Sequence, residues 1–153
     1  MNKKVHHPME FQISLKVLIK NKAGQALLLH SLPEDYWMGK YDLPGGRINT
    51  TKLPTDYQKT IIRELAEEIG VKVRYDLDMN PVAIGSRTRK RAGKPDIHFF
   101  YVLFQATYKS GAVSISDEHS GYTWKKIGPR TVKQFFYPSL GDLMSNYFKW
   151  KHQ

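Results

Sequence analysis

The chain has 153 residues, of which 41% are hydrophobic and 25% charged, a composition typical of one folded globular domain rather than of a disordered or fibrous chain. The absence of cysteine excludes disulfides, thiolate zinc sites and thiol nucleophiles, so a metal ion would need oxygen or imidazole ligands. The formal charge of +10 favours anionic partners such as polyphosphates, nucleic acid or acidic membrane surfaces, without choosing among them.

The amino-terminal part of the chain predicts a flexible segment, residues 1–9, followed by a β-hairpin. The first ten residues contain no apolar run resembling a signal peptide or a membrane span, so we expect a cytoplasmic protein without a membrane partner. Over residues 11–20 apolar residues alternate with polar ones, including Lys16, which predicts a strand with one solvent-exposed face. Turn residues 21–24 then lead into a return strand over residues 25–30.

One helix is clearly predicted in the middle of the chain. It follows a loop over residues 33–40 and the turn Pro44-Gly45-Gly46, which breaks regular structure. Asp56 is a candidate N-cap and Gly70 a candidate C-terminal stop. Between them, apolar residues recur at helical spacing and predict a buried arc made of Ile61, Ile62, Leu65 and Ile69.

The carboxy-terminal half predicts several strands and a closing helix. The strand candidates are residues 71–75, 82–89, 96–107, 112–115 and 122–127. Apolar residues after Pro138 and Ser139 again recur at helical spacing. No repeat or linker marks a second domain, so we expect a single domain over residues 1–153. This order of elements predicts an α/β fold in which helices cover a mixed β-sheet.

Three glutamates share one face of the predicted helix, next to its apolar arc. Glu64 lies three residues before Glu67 and four before Glu68, so their carboxylates repel one another unless a cation compensates them. Arg63 lies four residues before Glu67 and can hold that carboxylate in one rotamer. A hard divalent cation would remove this repulsion, but by itself such a pattern is more often a set of ordinary glutamates on a solvent-exposed helix.

The residues around these glutamates resemble the signature of the Nudix hydrolases. The second half of that signature, the Nudix box, is Arg-Glu, an aliphatic residue, any residue, Glu-Glu, any residue, Gly and an aliphatic residue. The segment 63–71 matches every one of these positions. The turn Leu43-Pro44-Gly45-Gly46 is similar to the family's entry turn. The resemblance implies the Nudix fold, an α/β/α sandwich with a mixed β-sheet flanked by helices, and hydrolysis of a diphosphate linkage with Mg²⁺, or Mn²⁺ as a substitute.

The sequence departs from the first half of the Nudix box. The stretch from Gly46 to Arg63 is three residues longer than the signature and contains no glutamate. Eight residues before Arg63, where the box has its first glutamate, this chain has Thr55. The adjacent Asp56 could substitute for it, but its other expected role is to cap the helix. The number of metal ions is therefore left open.

The resemblance also implies roles for individual residues. It assigns metal binding to Glu67 and Glu68, with the Gly45 carbonyl as a further ligand, Glu64 as a ligand or general base, and Arg63 as the group that orients them. Family members often place another acidic residue in a loop shortly before a strand that contains tryptophan. Glu118, six residues before Trp124, has this position and is predicted to be a ligand or general base, the alternative being a loop acid without a role.

Substrate-binding residues are predicted on two loops. Trp37 and Tyr41 lie near the glycine turn and could stack on a base, or could simply be packing residues. Arg87 and Arg89 open the densest basic segment of the chain, which would bind phosphates or form a solvated hairpin tip. Histidines 6, 7, 30, 98 and 119 lack metal-ligand spacing and are interpreted as structural or exposed.

The sequence thus predicts a pyrophosphohydrolase that acts on a nucleoside di- or triphosphate-like small molecule, with nucleotide-pool sanitation as one role. Dinucleoside polyphosphates, nucleotide sugars and the 5′ end of RNA are alternative substrates. A catalytically inactive Nudix-fold module that binds nucleotides or nucleic acid is the alternative from another class. A homodimer is left open.

Overall fold

The computed structural model describes residues 9–48 and 56–151. Almost all of the predicted flexible segment, residues 1–9, and the position of Thr55 therefore lie outside the described residues. The elements found in the described ranges are β1 (Gln12–Lys20), β2 (Ala26–His30), β3 (Tyr41–Asp42), α1 (Tyr57–Ile69), β4 (Arg74–Arg89), β5 (Ile97–Ser110), β6 (Gly121–Lys125), α2 (Val132–Phe135) and α3 (Pro138–Lys151).

The strands form one mixed sheet in the order β3-β2-β1-β5-β4, and β6 pairs with β2. The parallel pair is β1 with β5, which runs in register from Gln12 opposite Phe99 to Lys20 opposite Thr107. The hairpins β1–β2 and β4–β5 are antiparallel. The predicted hairpin and mixed sheet are confirmed.

Helices cover both faces of this sheet, as predicted. One apolar cluster joins odd-numbered residues of β1, such as Leu15 and Val17, to Ile61 and Leu65 of α1. The other joins Leu18 and residues of β2 to α3, through Leu140, Leu143 and Met144. Each fully buried leucine side chain stabilises such a layer by about 1.5–3 kcal/mol. Among the described residues, no helix is long and apolar enough to cross a membrane.

Because α3 covers the face of β1 that was expected to meet solvent, the prediction of an exposed face is wrong. The whole stretch from Ser14 to Ile19 is buried, and Lys16 is only 5% exposed. A period-two pattern that contains a lysine normally indicates a solvated face. Here the lysine is buried together with polar partners, which are described below.

Two strand predictions are also wrong. The separate strands predicted at 71–75 and 82–89 are one strand, β4, with an irregularity between Asp78 and Ala83 in its pairing with β5. Pro81 is tolerated there because β4 is an edge strand and a bulge needs no ladder donor. Residues 112–115 form no strand. Their backbone instead closes the end of α1, since the Ser114 N–H donates to the Ile69 carbonyl at 3.0 Å.

Candidate active site

Helix α1 carries the predicted acidic residues and is capped as the sequence predicted. The carboxylate of Asp56 accepts hydrogen bonds from the backbone N–H groups of Gln58 and Lys59, which satisfies two donors of the first turn. The buried arc differs from the prediction in two places: Ile62 is 50% exposed, whereas Glu68 is only 6% exposed. The helix therefore directs one carboxylate towards the interior.

The glycine turn holds this buried carboxylate against the sheet. Residues 44–48 run alongside β1, with the N–H of Val17 donating to the Pro44 carbonyl at 2.8 Å and the N–H of Leu15 to the Gly46 carbonyl at 2.9 Å. On its other side the turn contacts α1, because the Gly45 N–H donates to Oε2 of Glu68 at 2.7 Å. The turn thus connects the central strand to the acidic helix.

Arg63 connects the other two glutamates. Its Nη2 pairs with Oε1 of Glu64, and its Nη1 donates to Oε2 of Glu67 at 2.8 Å. Burial raises the pKa of Glu64, the charge of Arg63 opposes this shift, and the charges of Glu68 and Glu67 add to it. The side chain of Glu67 is 56% exposed. The three glutamates therefore differ in environment: Glu68 is buried, Glu64 is partly desolvated and Glu67 is in contact with solvent.

A buried lysine, which the sequence did not single out, lies next to this cluster. The Nζ of Lys16 donates to the carbonyls of Leu43 at 3.1 Å and Gly45 at 3.0 Å, and pairs with Oδ1 of Asp42 at 2.9 Å. Burial lowers the pKa of Lys16, but attraction to Asp42 and Glu68 outweighs burial, so the net pKa is raised and the side chain stays charged. The Gly45 carbonyl, predicted to be a metal ligand, is thus bonded to an ammonium group.

Two further residues that the sequence did not assign to the site face the same carboxylates. Nε2 of His119 lies 3.4 Å from Oε1 of Glu68, and its buried Nδ1 has no hydrogen-bond partner among the described residues. The hydroxyl of Tyr137 donates to Oδ1 of Asp42 at 3.3 Å, and burial together with Asp42 raises the pKa of Tyr137.

His119 should make the stability of the metal-free protein depend on pH. Burial lowers the pKa of His119, but its hydrogen bond and attraction to Glu68 raise it further, so the net value lies above the ordinary 6.5. A group whose pKa is higher in the folded state stabilises the fold at pH values below its unfolded-state pKa. This contribution is lost as the pH rises through the folded-state pKa. We therefore expect the free energy of unfolding of wild type to fall relative to that of His119→Asn as the pH rises from about 6 to 8. Urea unfolding in the presence of chelator measures both.

The matched control for this measurement is His98→Asn. His98 lies on the β4–β5 hairpin, where its Nδ1 is 2.8 Å from the hydroxyl of Thr88. If His119→Asn and His98→Asn change the pH dependence equally, the contact between His119 and Glu68 does not carry the effect.

A cavity of about 1000 Å³ opens over these residues and brings most of the predicted site together. Of the residues predicted from sequence, its lining contains Gly45, Glu64, Glu68, Glu118, Trp37, Arg87 and Arg89. Lys16, Asp42, His119 and Tyr137 also line it. Acidic groups of α1 and basic groups of β4 therefore face one space, although they are far apart in the sequence.

The remaining predicted residues lie elsewhere. The ring of Tyr41 packs edge-on against the rings of His30 and Phe135, and Tyr41 is not among the residues lining the cavity. Arg63 and Glu67 are also outside the lining, and Arg63 connects Glu67 to Glu64, which lines the cavity. Arg87 lines the cavity but pairs with Asp142 of α3 at 2.7 Å. The sequence could not show this pair, because the partner lies 55 residues away.

The side chains of the site fit a hard divalent cation in part. Glu64 and Glu68 both line the same cavity, and the carboxylate of Glu64 occupies the space that a Cβ on Gly46 would fill. Among the described residues, no three His, Cys, Asp or Glu side chains form a ready cluster. This donor set suits Mg²⁺, which binds to one or two carboxylates and completes its shell with solvent and phosphate oxygens. The Gly45 carbonyl, predicted to be a further ligand, already accepts a hydrogen bond from Lys16.

Comparisons with known proteins agree with this arrangement. A family model described as NUDIX domain matches residues 10–128. The MutT protein of Methanosarcina mazei Go1 superposes with a TM-score of 0.64 at 23% identity, covering 93% of this chain and 94% of that one. The Ap4A hydrolase of C. elegans gives 0.62 at 19% identity, covering 92% and 98%. A comparison with curated proteins gives no match.

A third similar structure is the NUDIX domain of Shewanella oneidensis NrtR complexed with ADP ribose, with a TM-score of 0.63 at 16% identity, covering 95% of this chain and 90% of that one. At these identities the structural likeness shows the fold. The family match indicates a hydrolase of phosphoric anhydrides, a pyrophosphohydrolase. Since the family model covers more than half of the chain, the chain belongs to the Nudix family.

Proposed function

We propose that this protein hydrolyses the diphosphate linkage of a nucleoside di- or triphosphate-like molecule with the help of Mg²⁺. The observation that carries the proposal is the shared cavity, which is lined by Glu64 and Glu68 of α1 and by Arg87 and Arg89 of β4. A polyphosphate placed between them would meet cationic groups on one side and the metal-binding carboxylates on the other.

The residues of the chain have distinct roles in this proposal. Glu64 and Glu68 would hold the metal ion. Glu67 would help to position Glu64, because both pair with Arg63. Mn²⁺ would substitute for Mg²⁺. The bound ion would neutralise the phosphate oxygens and so favour attack at phosphorus. Glu118, an exposed residue of the cavity rim, would take the proton from the attacking water, a role for which Glu64 is the alternative.

Two aromatic residues of the cavity lining, Trp37 and Tyr137, would hold the nucleoside. Trp37 and Tyr137 stack with ring centroids 6.1 Å apart, and both line a second cavity of about 330 Å³ together with Arg89 and Asp42. Aromatic faces accept any nucleobase, so this wall supports a nucleotide over an inorganic polyphosphate. It supports no choice of base.

Several alternatives belong to the same proposal. Two similar structures are an Ap4A hydrolase and a domain complexed with ADP ribose. For this chain, dinucleoside polyphosphates, nucleotide sugars and RNA 5′ ends are alternative substrates. A nucleotide-binding module without turnover is the alternative from another class. The cytoplasmic location, the single domain over residues 1–153 and a homodimer stay predictions.

A substrate panel tests the proposal. Nucleoside di- and triphosphates, a dinucleoside polyphosphate, a nucleotide sugar and a 5′-triphosphorylated RNA would be incubated with Mg²⁺, with Mn²⁺ and with chelator, and products separated by chromatography. We expect turnover of at least one nucleoside polyphosphate, dependent on metal. Mg²⁺ should also raise Tm, since a ligand of the native state stabilises it. Binding of nucleotides without any turnover would favour the binding module instead.

Neutralising the cavity arginines should weaken substrate binding. The variant Arg87→Gln/Arg89→Gln is expected to raise KM about tenfold or more, because two charge-assisted contacts to phosphate are lost. We expect a smaller change in kcat, and a weaker dependence of KM on salt. Breaking the exposed Arg87–Asp142 pair should cost less than about 1 kcal/mol of folding stability.

The control for these arginines is Arg91→Gln. Arg91 is on the same hairpin but donates to the Pro95 carbonyl and is not among the residues lining the cavity. Equal KM values for wild type and the double variant would show that Arg87 and Arg89 do not bind the substrate and belong to a solvated hairpin tip.

A further inference from the structure

Lys16 is the most deeply placed cation of the candidate site, and the proposed reaction gives it no role. It lies in the middle of β1, the strand that α1 and α3 enclose from both faces. Its ammonium group contacts the turn from Asp42 to Gly45, which also holds Glu68. A buried charge is retained only where specific partners compensate it, so the partners of Lys16 indicate what its charge does.

All three donors of the ammonium group are already used. An ammonium group has three N–H donors, and these are directed to the carbonyls of Leu43 and Gly45 and to the carboxylate of Asp42, at 2.9–3.1 Å. No donor is left for a substrate phosphate. Lys16 is therefore unsuited to the role of a phosphate ligand, even though it lines the cavity.

Instead, the position of Lys16 affects where a metal ion can bind. A divalent ion bonded to the Gly45 carbonyl would lie close to an ammonium group bonded to the same oxygen, and two cations at that separation repel each other strongly in a partly buried site. Lys16 cannot move away without leaving the carboxylate of Asp42, which is itself mostly buried, without its cation.

We propose that Lys16 is a fixed cation of the metal centre: it occupies the carbonyl of Gly45, so that divalent metal is bound by the glutamate side chains of α1 without this backbone ligand. This inference rests on the proposed function, because it concerns the metal of the same site. It makes Lys16 a positioning residue that sets both the ligand set and the affinity for metal.

Binding of Mn²⁺, followed by its electron paramagnetic resonance signal, tests the proposal without use of activity. Lys16→Met removes the charge and frees the carbonyl while keeping the length of the side chain. We expect Mn²⁺ to bind Lys16→Met about tenfold more tightly than wild type, as expected when a nearby like charge is removed. Lys20→Met is the matched control, since Lys20 is on the same strand but donates to the hydroxyl of Tyr147, and its affinity should equal that of wild type.

A second variant tests the proposal if Lys16→Met does not fold. Lys16→Met/Asp42→Asn removes both members of the pair, so neither is left buried without the other, and it should also bind Mn²⁺ more tightly than wild type because the Gly45 carbonyl is freed. Unchanged or weaker binding in the folded variants would overturn the proposal while leaving the proposed function intact. Absence of Mn²⁺ binding in wild type would overturn both.

A crystal structure of wild type with Mn²⁺, located by its anomalous scattering, gives a direct reading. We expect Lys16 to remain within hydrogen-bond distance of the Gly45 carbonyl, with Mn²⁺ on the carboxylates. A Mn²⁺ ion within bonding distance of that carbonyl would overturn the proposal, whatever its affinity.

Discussion

Replacement of Glu68 by glutamine is expected to lower kcat by about 100-fold or more, the range seen when a preorganised electrostatic contact is removed. In the wild type the Gly45 N–H donates to Oε2 of Glu68 at 2.7 Å. The glutamine amide has nearly the same volume, and its oxygen can still accept this hydrogen bond. The charge and the acceptor oxygen that faces His119 are lost, but the bond to the glycine turn is kept, so the fold should remain intact. Steady-state kinetics with saturating Mg²⁺, together with Tm in chelator, separate the catalytic effect from a structural one.

Glu67→Gln is the matched control, because the structure distinguishes two glutamates that the sequence treats alike. Glu67 is 56% exposed and pairs with Arg63, and it does not line the cavity. We expect a loss of about tenfold for this variant, as for residues that act through another group. Equal losses for Glu67→Gln and Glu68→Gln would contradict the distinction drawn from burial.

The elements that could be predicted were those in which a local pattern decides the structure. Helix α1 has a capping residue, Asp56, and the buried apolar residues Ile61, Leu65 and Ile69 at helical spacing, so its start and its buried face follow from contacts within a few residues. Residues 112–115 show the opposite case. Their apolar character suits a strand, but their partner is the end of α1, and only the tertiary structure determines which partner the backbone bonds.

The candidate site was predictable in part for the same reason. Glu64, Glu67 and Glu68 lie on one short helix, so spacing alone brings them together. Lys16 and Asp42 are 26 residues apart and meet because the glycine turn lies beside β1. In the sequence Lys16 stands in a period-two pattern that normally indicates solvent, and nothing local shows that α3 covers that face. The Arg87–Asp142 pair was hidden in the same way.

Gly45→Ala is expected to lower the free energy of unfolding by at least about 3 kcal/mol. Gly45 has φ of +122°, where a side chain is strained. A Cβ at this position would also overlap the backbone carbonyl oxygen of Leu15, and this oxygen belongs to the central strand, which cannot move aside. The turn would have to separate from β1, or Gly45 would have to give up its bond to Glu68. Urea unfolding with circular dichroism measures the loss.

Two matched glycines separate the causes of this loss. Gly24 also has a positive φ, +73°, but nothing lies within 4 Å of its Cβ position, so Gly24→Ala should cost only the backbone strain, about 1–2 kcal/mol. A Cβ on Gly46 would meet the carboxylate of Glu64, the end of a flexible side chain, so Gly46→Ala should displace that carboxylate and impair metal binding more than stability. If Gly45→Ala costs no more than Gly24→Ala, the turn is not fixed against β1, and the geometry that delivers Glu64 and Glu68 to the cavity would need another support.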